Sequence, residues 1–323
     1  MVLVERLLNF GNSLPGVVSQ GLIWGIMAIG LYITYKLLEL SDLTVDGSFC
    51  TGGATCIVMM AMGQPTWLAI LCAFVAGMLA GSITGFLHTV CKIPAILSGI
   101  LTQLGLWTVN MIIMGIKDGE LVSTLTIPSR NSTPLVSAMY LSKALDGTKP
   151  FYLYPPLTMA IITAVVICIL YWFFGTERGS SIRATGANEH MARAQGINTN
   201  VNKMIGLMLA NGLVALSGAL FAQYNGNAEI NMGRGAIVIG LAAIIIGDVL
   251  FGKLFKNFAL KLLAVSFGAI IYYVVIQAVL TLLKVDSQYL KLMSAAIVAV
   301  FLTVPNFRSG RKHKKTEVAL CSK

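Results

Sequence analysis

The chain has 323 residues, 56% of them hydrophobic and 11% charged, with a formal net charge of +10. Soluble domains carry roughly 25% charged residues, and a globule of this length keeps too much surface exposed to hide so large an apolar share. The basic excess does not mark a nucleic-acid binder, because Lys and Arg sit in short segments between apolar runs rather than on one amphipathic face.

Lipid as the solvent removes the burial difficulty. In hydrocarbon every backbone N–H and C=O is paired internally, which leaves helices or a closed barrel. The apolar runs are roughly 20 residues long, whereas barrel strands would alternate over about 10. The expected fold is therefore all-α and polytopic, with about nine transmembrane helices. Residues 1–16 are too short and too interrupted for a cleaved signal peptide and read as a short interfacial helix. Spans are expected near 17–38, 45–62, 66–90, 93–116, 152–174, 204–222, 235–252, 258–282 and 288–304. The second is short and glycine-rich, so a broken or partly re-entrant helix is open there. Residues 1–305 form one membrane domain and 306–323 a basic tail.

Charge sets the orientation. Arg178, Arg183, Arg193 and Lys203 in 175–203, and Arg308, Arg311, Lys312, Lys314 and Lys315 in the tail, fall on one side of a nine-span chain. About two-thirds of the Lys and Arg collect there, which makes that side and the C-terminus cytoplasmic. Residues 117–151, rich in Ser, Thr, Pro and Lys, then form an outer docking or gating loop. Most of the six cysteines lie inside apolar spans without a Cys-x-x-Cys pair, so they read as small core residues and signal no metal site.

The inner segment 175–203 is the most informative. Asn188 is a good N-cap, Glu189-His190-Met191-Ala192-Arg193-Ala194-Gln195 a short helix, and Gly196 a natural residue just past its end. A second helical turn begins near Asn198. The result is a short polar helix that a cytoplasmic partner can grip; an ordinary solvated connector would read the same way.

A resemblance separates the two. Gly179-Ser180-Ser181-Ile182-Arg183-Ala184, continuing through Gly186, Asn188, Ala192 and Gly196-Ile197, resembles the coupling loop of permeases in the branched-chain amino acid and sugar ABC importer family. Gly81 to Leu87 and Lys92 to Ile100 are similar to that family's third span and the entry to its fourth, and Leu40 to Phe49 resembles a subgroup associated with tryptophan or tyrosine uptake. The resemblance implies a permease subunit that pairs with a second copy or a homologue, two cytoplasmic ATPase subunits and an extracytoplasmic substrate-binding protein. It also implies alternating access, driven through a helix near Glu189–Ala194 and framed by Arg183, Gly186 and Asn188. ATP and magnesium would belong to the partner, and this chain would bind no cofactor and be no enzyme.

Gly247 to Leu254 nearly matches a phosphate-binding loop, but Leu254 replaces the hydroxyl residue and the segment ends an apolar span. Gly77, Gly81 and Gly85 share one face of the third span, as a dimer seam or as ordinary intrachain packing. Polar residues in or beside spans are candidates for the pathway: Asp46, Gln103, Asn110, Asn211, Asn225 and Asn227. Interhelical hydrogen bonding is the bland account of the amides, and capping of the second helix that of Asp46. An ion-coupled secondary transporter is the alternative function. The near-absence of mid-span carboxylates counts against it.

Overall fold

The structure is a computed structural model that describes residues 2–117, 120–127, 134–138, 154–252, 255, 257–283, 295, 296 and 299. Helix α1 (Val2–Tyr32) runs into a π-helical turn (Ile33–Leu37) and is followed by α2 (Val45–Ala61), α3 (Thr66–Thr89) and α4 (Ala95–Met114). Three short strands follow, β1 (Ile116–Lys117), β2 (Glu120–Leu121) and β3 (Thr124–Thr126). Then come α5 (Pro155–Gly175), α6 (Glu177–Ala187), α7 (Glu189–Ala194), α8 (Thr199–Asn225), β4 (Asn227–Glu229), α9 (Ala236–Phe251) and α10 (Phe258–Leu283).

Among the described residues, six helical stretches are long and apolar enough to cross a membrane: Phe10–Leu37, Thr66–Thr89, Ala95–Met114, Pro155–Gly175, Thr199–Asn225 and Phe258–Thr281. Val45–Ala61 and Ala236–Phe251 are apolar but shorter. The ninth expected span, 288–304, and the basic tail 306–323 lie outside the described residues apart from 295, 296 and 299. Much of the expected outer loop 117–151 lies outside them too. The separate interfacial helix expected over 1–16 does not form. Pro15 sits inside α1, which is continuous through it.

Two helices make the centre. The apolar window of α1 is 83% buried and that of α8 67%, against 28% for α4. Helix α8 packs on α3, α2 and α1, while α1 also meets α10, α9 and α5. Trp24 of α1 stacks on Phe49 of α2 with ring centroids 5.0 Å apart, and both meet Phe221 of α8. The outer helices show the reverse of a soluble pattern. Helix α3 turns Ala69, Ala73, Gly77, Ala80 and Gly81 inward and leaves Leu71, Val75, Leu79, Ile83 and Phe86 exposed. Small residues let backbones approach closely, and large apolar side chains left outside suit contact with lipid.

Helix α2 is unbroken; the irregular backbone lies before it, in residues 38–44. Its glycines set its depth in the bundle. A Cβ on Gly52 would run into the Ala215 carbonyl oxygen, and one on Gly218 into that of Phe49. Two helices therefore touch backbone to backbone at this crossing. Antiparallel β3–β4 pairing, with Leu125 opposite Ala228, ties the segment after α4 to the end of α8.

Candidate functional site

At the end of the bundle where α5 stops, Thr176 caps α6, its hydroxyl accepting from the Gly179 N–H at 3.3 Å. Helix α6 is mostly polar, and Gly179, Ile182 and Thr185 are its buried residues. Gly186 lies so close to the π-helical turn ending α1 that a Cβ there would meet the Leu37 carbonyl oxygen. Arg183 is exposed, its guanidinium carbon 6.0 Å from the centre of the Phe258 ring.

Asn188 ends α6 and begins α7, its Oδ1 accepting from the Met191 N–H at 3.0 Å. One residue thus serves as the C-cap of one helix and the N-cap of the next. Gly196, with φ +79°, turns the chain out of α7, and Asn198 caps α8 by accepting from the Val201 N–H at 3.3 Å. A left-handed backbone at Gly196 is open to glycine without a Cβ penalty.

Side chains weld these pieces together. The Lys203 ammonium donates to Glu189 Oε2 at 2.8 Å, and Arg193 donates to Glu189 Oε1 at 2.6 Å. Thr199 bonds both Glu189 and Arg193. The hydrogen bond from Lys203 leads in holding the Glu189 carboxyl below the usual carboxylate range, against a partial opposing effect of burial. Asn202 of α8 donates to Ser181 and Thr185 of α6 at 2.7 and 2.9 Å. Ala192 faces inward, while His190 and Met191 are exposed, Met191 at 63%. The loop is therefore a rigid three-helix step that presents the outer face of α7.

The polar residues of the spans divide into separate places. Asn211, fully buried, donates to Asp42 Oδ2 at 2.7 Å and to the Leu207 carbonyl, and accepts from Ser48 at 2.6 Å. Asp42 also accepts from the Thr44 N–H at 2.8 Å. This is a structural junction between α8 and the entry to α2. Asn225 and Asn227 flank the left-handed Gly226 at the end of α8, where Asn227 pairs with Thr126. Neither lines the cavity that holds the remaining three candidates.

Asp46, Gln103 and Asn110 come together. They line a cavity of about 200 Å3 between the start of α2, α4 and the turn before α9, with Cys50, Trp107 and Arg234. Asn110 is 1% exposed; its Nδ2 donates to the Gly47 carbonyl at 3.3 Å. Its Oδ1 is buried without a hydrogen-bond partner among the described residues. The expected capping of α2 by Asp46 does not form: the N-cap position is Thr44, with no side-chain cap bond. The two carboxylate oxygens of Asp46 accept from the Gly235 and Ile237 N–H groups at 3.1 and 3.2 Å, which caps α9. The first N–H groups of a helix lack internal partners, and a carboxylate there satisfies them with the favourable sign of the helix dipole.

Gly77, Gly81 and Gly85 all face α8. A Cβ at Gly77 would strike Ala215, one at Gly81 the Leu207 carbonyl oxygen, and one at Gly85 would come within 3.1 Å of Met204. Gly247 and Asp248 lie inside continuous α9, and Asp248 pairs with Lys36 at 3.1 Å, so this stretch has no phosphate-cradling loop. Lys253 and Leu254 lie outside the described residues. Among the described residues no group of three or more His, Cys, Asp or Glu gathers to hold a metal ion.

The family described as the branched-chain amino acid transport system permease component matches residues 13–302. The chain belongs to this permease family. It is 36% identical over 314 residues to a tyrosine transport system permease protein of Clostridioides difficile, covering 97% of each chain. An uncharacterised protein of Rickettsia prowazekii is 32% identical over 293 residues, covering 90% of this chain and 97% of its own. More distant is a ribose import permease protein of Escherichia coli, 24% identical over 295 residues and covering 91% and 86% of the two chains. No solved structure matches significantly. The permease is thus a helical membrane component of the amino acid and sugar type of ABC importer, a transport subunit rather than an enzyme in its own right.

Sequence reasoning passed over several residues that matter in this permease. Arg234 and Trp107 join the cavity only because α2, α4 and the turn before α9 meet in space. Asp42, 3% exposed, lies in the segment before α2 and is buried there by its contact with Asn211 of α8. Thr199 and Asn202 carried a signal in hindsight, as polar residues on the first turn of a long apolar helix.

Proposed function

We propose that this permease forms the translocation pathway for an amino acid, aromatic or hydrophobic in its side chain, by alternating access powered by a separate ATPase. The likeness to a tyrosine permease over 97% of both chains carries this reading. The end bearing α6 and α7 is cytoplasmic, with the C-terminus on that side and the N-terminus outside. A second copy of the chain completes the pathway, lipid surrounds the apolar outer faces, and an extracytoplasmic binding protein delivers the solute. ATP and magnesium act on the partner.

The proposed coupling follows from the welded loop. Nucleotide binding closes the ATPase pair, and the exposed face of α7, with His190, Met191 and Arg193, moves with it. Glu189 and Thr199 pass that motion to the start of α8, and Asn202 passes it to α6. Further along α8, Asn211 holds Asp42 and Ser48, so a shift of α8 reaches the start of α2 and the cavity beside it. A ligand-driven change of facing needs elements with two discrete arrangements, and rigid helices joined by short polar contacts provide them.

Uptake of radiolabelled L-tyrosine by cells carrying or lacking the gene tests the reading. ATP-dependent uptake that is lost with the gene and insensitive to collapse of ion gradients is the expected result. Uptake that follows an ion gradient instead would transfer the chain to secondary transport.

A further inference from the structure

The cavity beside α2 combines groups that do not satisfy one another. Asp46 is pinned by two α9 N–H groups, and each carboxylate oxygen keeps acceptor capacity. Arg234 lines the same space and makes no ion pair with any described residue. Asn110 is 1% exposed and its Oδ1 has no hydrogen-bond partner among the described residues, a costly state for a buried acceptor. Gln103 adds an amide and Trp107 an indole wall. The volume, about 200 Å3, suits one small solute.

We infer that this cavity is a head-group site for a zwitterionic amino acid, built into the permease itself. The α-ammonium, with three donors, is received by Asp46 and by Asn110 Oδ1. The α-carboxylate is received by the Arg234 fork and the Gln103 amide, and the side chain lies against Trp107. A sugar offers neither charge and would bring no counter-charge to Asp46 or Arg234. Asp46 is held in place by the helix it caps, so little ordering is needed on binding. Arg234 directly precedes Gly235, one of the residues whose N–H Asp46 holds, so the two charges are set by one structural element. The inference rests on the amino acid reading above and adds that selection for the head group happens here as well as outside the membrane.

The test uses the full chain in lipid nanodiscs and tritiated L-tyrosine, with tyramine, 3-(4-hydroxyphenyl)propionate and D-ribose as competitors. L-tyrosine is expected to saturate one site, and each head-group-deficient analogue to compete about tenfold or more weakly. Arg234 is exposed, so Arg234→Gln should fold; it is expected to weaken L-tyrosine about tenfold while changing tyramine, which lacks the carboxylate, less than about twofold. Equal effects on both ligands, or none, would overturn the site. Absence of saturable binding in a chain that still imports L-tyrosine in cells would also overturn it and leave the proposed function standing. Binding of D-ribose with no response to L-tyrosine, and no import of it, would sink both.

Discussion

Asn211, midway along α8, donates to the Asp42 carboxylate at 2.7 Å across 169 positions of chain. The contact joins the central helix to the irregular segment that feeds α2. The Ser48 hydroxyl, which donates to Asn211 Oδ1, lies on α2 itself. Asn211→Leu leaves the buried Asp42 carboxylate with the Thr44 N–H but without its side-chain amide donor, and takes the acceptor from the buried Ser48 hydroxyl. Neutral interhelical bonds in membranes average about 0.6 kcal/mol, but a bond to a carboxylate is worth about 1.5–3 kcal/mol. The larger figure should apply, read as a fall in thermal stability in detergent, while Ser48→Ala should cost distinctly less.

Gly52 offers a steric test. The atom a new Cβ would meet is the Ala215 carbonyl oxygen, which is backbone and cannot swing aside. Gly52→Ala should cost about 1–3 kcal/mol through forced separation of α2 and α8. Gly105 lies exposed in α4, with no atom of the described residues within 4 Å of a new Cβ. There Gly105→Ala should gain roughly 0.5–1 kcal/mol, because only the helical cost of glycine is removed. Melting temperatures that move in the same direction for both would refute the packing account.

The bundle and the loop differ in how far the sequence reveals them. Apolar runs near 20 residues foretell α3, α4, α5 and α10 closely, because lipid demands length and hydrophobicity before anything else. Asn188, Gly196 and Asn198 likewise announce α7 and the start of α8, because caps act within a few residues. Helix α6 is hidden: Glu177–Ala187 is polar, and its buried residues are decided by neighbours far along the chain. Asp46 is the clearest case. A local reading ties it to α2, whose first turn holds it, yet its N–H partners lie 189 and 191 positions away. Asp42 and Arg234 escaped for the same reason, since what surrounds each comes from segments distant along the chain.

The cap of α7 is open to substitution. Asn188→Ala removes the acceptor for the Met191 N–H and should cost about 1 kcal/mol, roughly a fivefold loss in the population of a six-residue helix. Hydrogen exchange at Met191 should speed up accordingly, and Asn188→Ser should restore protection. Exchange unchanged by Asn188→Ala would mean that α7 owes its order to its side-chain contacts alone.

Glu189 supplies a pH dependence. Its folded carboxyl is held below the ordinary value, first by the hydrogen bond from Lys203, so the ionised form is favoured in the folded loop. A depressed carboxylate contributes stability that is fully present above its unfolded value, about 4.3, and is lost as pH falls through the lower folded value. Exchange protection of α7 should therefore be level from neutral pH down to about 5 and fall in the acid range below. Glu189→Gln should lower protection at neutral pH and flatten the acid step. A step of full size in that variant would assign the titration to another group.

In the proposed importer, α7, held by Asn188, Glu189 and Gly196, is where the ATPase takes hold of the permease. The most direct measurement is a mild-detergent pull-down of the tagged chain from its native membrane, with mass spectrometry of the bound proteins. The same is done for a chain whose residues 189–194 are replaced by a Gly/Ser linker. We expect a stoichiometric ATPase with the native chain and its loss from the replaced one, which should still insert in the membrane. An ATPase retained by the replaced chain, or absent from the native one across several detergents, would contradict the account.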